Sequence, residues 1–195
     1  MKMIKNKFFF ILSFLMAFIV IISNYLVQFP VNYLGLENIL TYGAFTYPVA
    51  FLITDLCNRK YGKNIAKKIV YFGFLVGVLL TLYFSTNYSD LISIRIAIGS
   101  AIAFLTAQLI DIKIFDQLRK RKWFIAPITS SLTGSTIDTF LFFSIAFYGT
   151  GINWISLSFG DLLVKIFVAI LMLIPFRLLL SSIQEISTIE KNFNV

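Results

Sequence analysis

Residues 94–114 read IRIAIGSAIAFLTAQLIDIKI, and this stretch decides the fold. As a helix it is about 30 Å long, the thickness of a bilayer's hydrocarbon core. It nevertheless carries Arg95, Gln108 and Asp111. Charge at membrane depth is costly, so such groups face a protein interior or a wet cavity and mark a pathway. Arg95, Gly99, Ala103, Ala107 and Asp111 recur at every fourth position. Small residues along such a ridge let a second helix approach closely. The stretch is expected to be a central packed helix with a polar group towards each end. The fold class that follows is an all-α polytopic membrane protein, and the expected role is to move a small polar solute.

Composition agrees. Of 195 residues, 58% are hydrophobic, more than a soluble domain of this size needs. Lys and Arg number 17 against 9 Asp and Glu. The basic residues sit between apolar runs, so they are expected to orient the chain in a membrane rather than bind nucleic acid. The single cysteine, Cys57, allows no intrachain disulfide and no multi-cysteine metal site. Histidine is absent, so any proton chemistry falls to carboxylates. No cofactor is expected.

Six apolar segments can be marked: residues 8–27, 40–57, 69–84, 94–114, 125–148 and 155–178. Their length suits helices, since barrel strands are about half as long and alternate. The first has three lysines before it, as a signal peptide would, but it is long enough to cross a bilayer and is read as helix 1. The connections alternate in charge. Lys2, Lys5 and Lys7 precede helix 1. Arg59, Lys60, Lys63, Lys67 and Lys68 follow helix 2, and Arg119 to Lys122 follow helix 4. Arg177 and Lys191 come after helix 6. The other three connections have no Lys or Arg. By the positive-inside rule both termini are cytoplasmic. Residues 1–195 are read as one six-helix domain without an internal repeat, its tail from Ser181 a short frayed extension.

Polar groups recur at depth on the other helices. In helix 2, Pro48 is expected to kink or break the helix in its middle, as at many transporter sites. Asp55 and Asn58 lie near its inner end, where Asp55 has the option of pairing with Arg59. Gln108 and Asp111 share one face of helix 4, about 20–24 Å inward of Arg95, which points elsewhere. Ser131, Gly134 and Asp138 make a narrow polar face on helix 5. Asp138, near mid-span, must be protonated, paired or reached by cavity water. On helix 6, Trp154 suits the interface, Asp161 and Lys165 are spaced to neutralise each other, and Pro175 bends or ends the helix. Within the spans Asp55, Asp111, Asp138 and Asp161 stand against Arg95 and Lys165. Protons, or a solute rich in donors or positive charge, must offset the excess.

TYPVAFLITDLCNRKYG from Thr46, SIRIAIGSAIAFLTAQLIDIKIFDQLR from Ser93, WFIAPITSSLTGSTIDTFLFFSIAF from Trp123 and GDLLVKIFVAILMLIPFR from Gly160 together resemble the bacterial queuosine precursor transporter family. The resemblance covers about residues 42–177. Two departures are the isoleucine before Arg95, where the family often has serine, and Arg59, where an acidic residue often follows Asn58. The resemblance implies an inner-membrane importer of 7-deazaguanine bases bearing a cyano or aminomethyl group. It maps substrate binding onto Asp55, Arg95, Gln108, Asp111, Asp138, Asp161 and Lys165. A guanine-like edge offers paired N–H donors to a carboxylate and a carbonyl to Arg95, Gln108 or Lys165. An aminomethyl cation would suit a second aspartate.

Expected partners are thus a small base and the lipid bilayer. A self-sufficient secondary transporter or facilitator is the first reading. The alternative is a substrate-binding subunit of an ATP-driven importer, docked through Ser13 and Ala17 of helix 1; the chain has no phosphate-binding loop of its own. An intramembrane aspartyl protease would need two aspartates at one site and a Gly-x-Gly-Asp motif, whose first glycine is replaced by Ser158 here. The transport reading needs the carboxylates to face a chamber between the helices, not lipid or cytosol.

Overall fold

The computed structural model describes residues 2–33, 35–84 and 88–180. The expected C-terminal extension, Lys191 included, and residues 85–87 of the third connection lie outside the described residues.

Six α-helices follow in order: α1 Lys2–Leu26, α2 Tyr47–Tyr61, α3 Lys63–Phe84, α4 Leu91–Leu118, α5 Ile125–Phe147 and α6 Trp154–Leu180. Four of them, α1, α3, α4 and α6, are long and apolar enough to cross a membrane. Polar residues along α5 and the short length of α2 separate those two from this set.

The bundle is built inside out relative to a soluble protein. Phe10, Phe14, Phe18, Leu75, Leu79, Ile98, Leu163, Phe167 and Ile174 lie exposed around the outside. Asp55, Gln108, Asp111, Asp138, Asp161 and Lys165 are each at most 2% exposed. Apolar surface on this scale requires a covering in water, while lipid accepts it at no cost.

Helix α4 is a packed helix as expected, resting on α1, α2, α3 and α5, and it shares the centre with α2. Helix α2 touches each of the other five, whereas Ile98 and Ile102 of α4 face outward. The small-residue ridge of α4 does serve close packing, chiefly against α5. A Cβ on Gly99 would meet Ile145 and the Phe142 carbonyl at 3.3 Å. From the other side, a Cβ on Gly134 of α5 would lie 2.6 Å from the Phe51 ring of α2.

Two expectations are corrected. Residues 40–57 are not one span, and Pro48 kinks nothing. Residues 29–33 and 35–42 fold back as a hairpin held by Val31 N–H to the Leu40 carbonyl and Tyr42 N–H to that of Phe29. A 3-10 turn at Tyr42–Phe45 follows, and α2 starts at Tyr47 with proline in its first turn. There the missing N–H has no intrahelical partner to lose. Secondly, Ser13 and Ala17 are not a free docking face. They are buried where α1 meets α3, and Gly73 and Gly77 give α1 room to approach.

The two basic connections meet at one end. The Arg59 guanidinium donates to the Arg119 carbonyl at 2.5 Å, and Arg119 donates to the carbonyls of Asn58 (2.7 Å) and Arg59 (3.0 Å). Lys63 pairs with Asp116 at 3.2 Å. The Arg177 guanidinium lies 4.9 Å over the Trp123 ring at this end.

Candidate substrate site

Seven residues stand out in the sequence; the structure sorts them into three places. The first joins α5 and α6. Lys165 Nζ lies 2.9 Å from Asp138 and 2.6 Å from Asp161, and donates to Thr139 Oγ1 at 3.1 Å. The Thr139 hydroxyl in turn donates to Asp161 at 2.8 Å. The Asp161 contact is the spacing of one helical turn on α6. The Asp138 contact requires α5 to lie alongside. With all three groups ionised the triad carries one net negative charge. Lys165 Nζ also lies 4.8 Å from the centre of the Tyr47 ring, whose π face favours a cation.

Tyr47 joins this triad to a second polar knot. Its hydroxyl donates to Asn24 Oδ1 at 2.8 Å and lies 2.7 Å from Ser100 Oγ, which also bonds Asn24. Asn24 Nδ2 reaches Thr81 at 3.1 Å. Four helices are thereby tied at one depth. Gln28 donates to the Asn24 carbonyl at 3.1 Å and lines a cavity of about 350 Å³ at the loop end. The cavity is bounded by Thr41 and Glu37 of the hairpin, Asp90 and Ser93 at the start of α4, and Phe147 at the end of α5. Polar contacts thus step from the cavity through Gln28, Asn24 and Tyr47 to Lys165.

The second place lies among α2, α4 and α5. Asp55 accepts from Ser130 (3.3 Å) and Ser131 (3.4 Å). Asp111 faces Asp55. Gln108 contacts Thr54 at 2.6 Å. The crevice beside Asp55 and Ser131 holds about 10 Å³, room for one water. The carboxylates do face the interior, but the space of ligand size lies at the loop end.

Arg95 is the third place, and it sits apart. Its Nε donates to the Ile145 carbonyl at 2.9 Å and its Nη2 to that of Tyr148 at 2.8 Å. Both carbonyls belong to the end of α5, where orphan acceptors and the helix dipole favour a cation. We expect Arg95→Ala to lower thermal stability by about 1.5–3 kcal/mol, the range for hydrogen bonds to a charged group. The Kd for substrate should stay within roughly twofold. Melting curves and binding isotherms of purified variants check this.

The sequence reading passed over Asn24, Tyr47 and Ser100. An asparagine within an apolar run was the available signal. It also passed over Lys113, which sits within the span of α4 but is exposed.

Charged and polar side chains enclosed by a lipid-facing helical shell define the class of a membrane transport protein. The chain belongs to the family described as putative vitamin uptake transporter, which matches residues 41–180. It is 37% identical over 193 residues to a probable queuosine precursor transporter of Haemophilus influenzae, covering 84% of this chain and 82% of the relative. It is 32% identical over 190 residues to the queuosine precursor transporter of Escherichia coli, covering 88% and 85%. A probable queuosine precursor transporter of Bacillus subtilis is 28% identical over 180 residues, covering 80% and 78%. No solved structure gives a significant match. Asp55 and Asp111 are the two aspartates that face each other, but the family is one of transporters, not hydrolases.

Proposed function

We propose that this chain imports queuosine precursors, 7-deazaguanine bases with a cyano or aminomethyl substituent, across a bacterial inner membrane. All six helices cross, with both termini and the basic connections cytoplasmic. The hairpin and the cavity then face outward. The observation that carries the site assignment is the buried triad of Asp138, Asp161 and Lys165 against the Tyr47 ring.

The chemistry is complementary to the solute. The ring and exocyclic N–H groups of a guanine-like edge donate in parallel to one aspartate, and its carbonyl accepts from Lys165. The flat base stacks on an aromatic face such as Tyr47. The net negative charge of the triad offsets an aminomethyl cation and leaves a neutral cyano base tolerated. The base enters the outer cavity, whose volume lies near the lower end of the range for small-molecule sites. It reaches the triad when α6 and the hairpin part from α5. Gln108 then belongs to the second polar place, apart from the triad, and Arg95 is a support of the frame.

The alternative of a substrate-binding subunit for an ATP-driven importer loses the docking face on α1, since Ser13 and Ala17 are packed inside. The test is uptake of labelled base by cells that lack both their own synthesis and their own transporter and express this chain alone. Uptake is expected. Asp138→Asn should lower it roughly 10- to 100-fold, the equivalent of one charge-assisted hydrogen bond. Protein present in the membrane with no uptake would refute the self-sufficient reading.

A further inference from the structure

Around Asp55 and Asp111 the acceptors outnumber the donors. With Asp55 and Asp111 both ionised, neither oxygen of Asp111 accepts a hydrogen bond, although Asp55 lies close enough to share a proton with it; Asp111 is fully buried. Asn58 is also fully buried, and its Oδ1 has no partner. Its orientation is fixed, because Nδ2 donates to the Ile112 carbonyl at 3.0 Å, beside Asp111. Gln108 accepts from the Thr54 hydroxyl through Oε1, and its Nε2 is an unpartnered donor beside these acceptors. The Thr54 hydroxyl has one hydrogen, and it lies 3.0 Å from the Ala50 carbonyl as well as 2.6 Å from Gln108. Gln108 is one turn from Asp111 on the same face of α4. Ser130 and Ser131 hold Asp55 from α5.

Two facing carboxylates with an orphan oxygen at their side cannot both remain charged and empty, because each buried ion costs several kcal/mol. The surrounding charges are engaged elsewhere or point away. Lys63 and Arg119 hold Asp116. The Arg59 and Arg119 guanidiniums donate to backbone carbonyls at the basic end. Lys113 is exposed. Residues 125–137 of α5 contain no titratable group, and α6 presents Ala169, Met172 and Leu173 to the crevice. A crevice of about 10 Å³, room for one water, reaches Asp55 and Ser131; Asp111, Asn58 and Gln108 are not part of its lining.

We propose that Asp55 and Asp111, with Asn58, form a site for one monovalent cation, a proton or Na⁺, separate from the substrate triad, and that its occupancy couples uptake as symport. The coupling half rests on the transport reading; the binding half does not. The single positive charge is the shared chemistry, and the experiment separates its sources.

Purified protein is melted at pH 8 and pH 6 in NaCl and in choline chloride. A ligand at 100 times its Kd that binds the folded state raises the melting temperature by roughly 5–10 °C. Na⁺ binding gives that rise in NaCl at pH 8. A bound proton gives it in choline on going from pH 8 to pH 6. Asp111→Asn should flatten the response, and Asn58→Ala, which keeps both carboxylates, should shift it to higher cation concentration. In proteoliposomes, an inward gradient of the same cation should raise the initial rate of base uptake several-fold over counterflow exchange. In Asp111→Asn that ratio should fall to about one. If neither cation moves the melting temperature nor the rate, the site is refuted. If the melting temperature responds and the wild type shows no counterflow, the transport reading fails and the cation site stands.

Discussion

Lys165→Met will leave little folded protein in the membrane. Methionine matches the length of the lysine stem but brings no charge. Asp138 and Asp161 would then face one interior with nothing between them. Removing one partner of a buried pair costs about 3–5 kcal/mol. Total stability is about 5–15 kcal/mol for a typical domain. Lys165 also supplies a hydrogen to Thr139 and a charge to the Tyr47 face, so the knot through Asn24 and Ser100 loosens with it. The informative variant carries Asp138→Asn and Asp161→Asn as well. With all three charges gone the penalty is gone, and folded protein should return to near the wild-type amount. Uptake should not return, staying below roughly 1% per folded molecule. A triad that only held helices together would regain transport as it regained folding. Membrane abundance by size-exclusion of a fluorescent fusion, with uptake per folded molecule, decides between the two.

Two of the three residues of that triad could be paired from the sequence. Asp161 and Lys165 are one helical turn apart, and any helix brings them together. That Asp138 completes the group was not legible, because it depends on which face of α5 meets α6. Helices α1, α3, α4 and α6 could be read from length and apolar runs, since lipid demands both. The segment before α2 misled for the same reason. Leu40, Ala44 and their neighbours are apolar because they pack under the hairpin and against Val164 of α6, not because they continue a helix. Pro48 fitted a helix start as well as a kink, and only the preceding backbone decides. Arg95 was visible as a charge near one end of α4. Its partners are main-chain carbonyls of α5, which no side-chain pattern announces. Asn58 was visible too, but its unpartnered oxygen emerges only when the donors around it are counted.

Gly160→Ala is expected to damage transport through a contact that involves no charge. A Cβ on Gly160 would lie 2.8 Å from the Ile39 carbonyl carbon and collide with its oxygen. Neither atom belongs to a side chain that can turn aside. The hairpin carrying Ile39 is itself braced by its own backbone bonds. Either it lifts or α6 withdraws. Overpacking of this kind costs about 1–3 kcal/mol, a fall of roughly 2–12 °C in melting temperature for a chain of this size. If α6 withdraws, Asp161 and Lys165 move away from Asp138 and Thr139, and uptake should fall at least roughly tenfold beyond the loss of folded protein. Gly151→Ala is the control. Gly151 has φ +80° but open space around it, so alanine there strains the backbone and touches nothing. It should lose about 1–2 kcal/mol and keep its uptake per folded molecule. Wild-type uptake by Gly160→Ala would mean that the hairpin is not seated on α6 in the working protein. The cavity walled by Glu37 and Thr41 would then not be the one through which the base arrives.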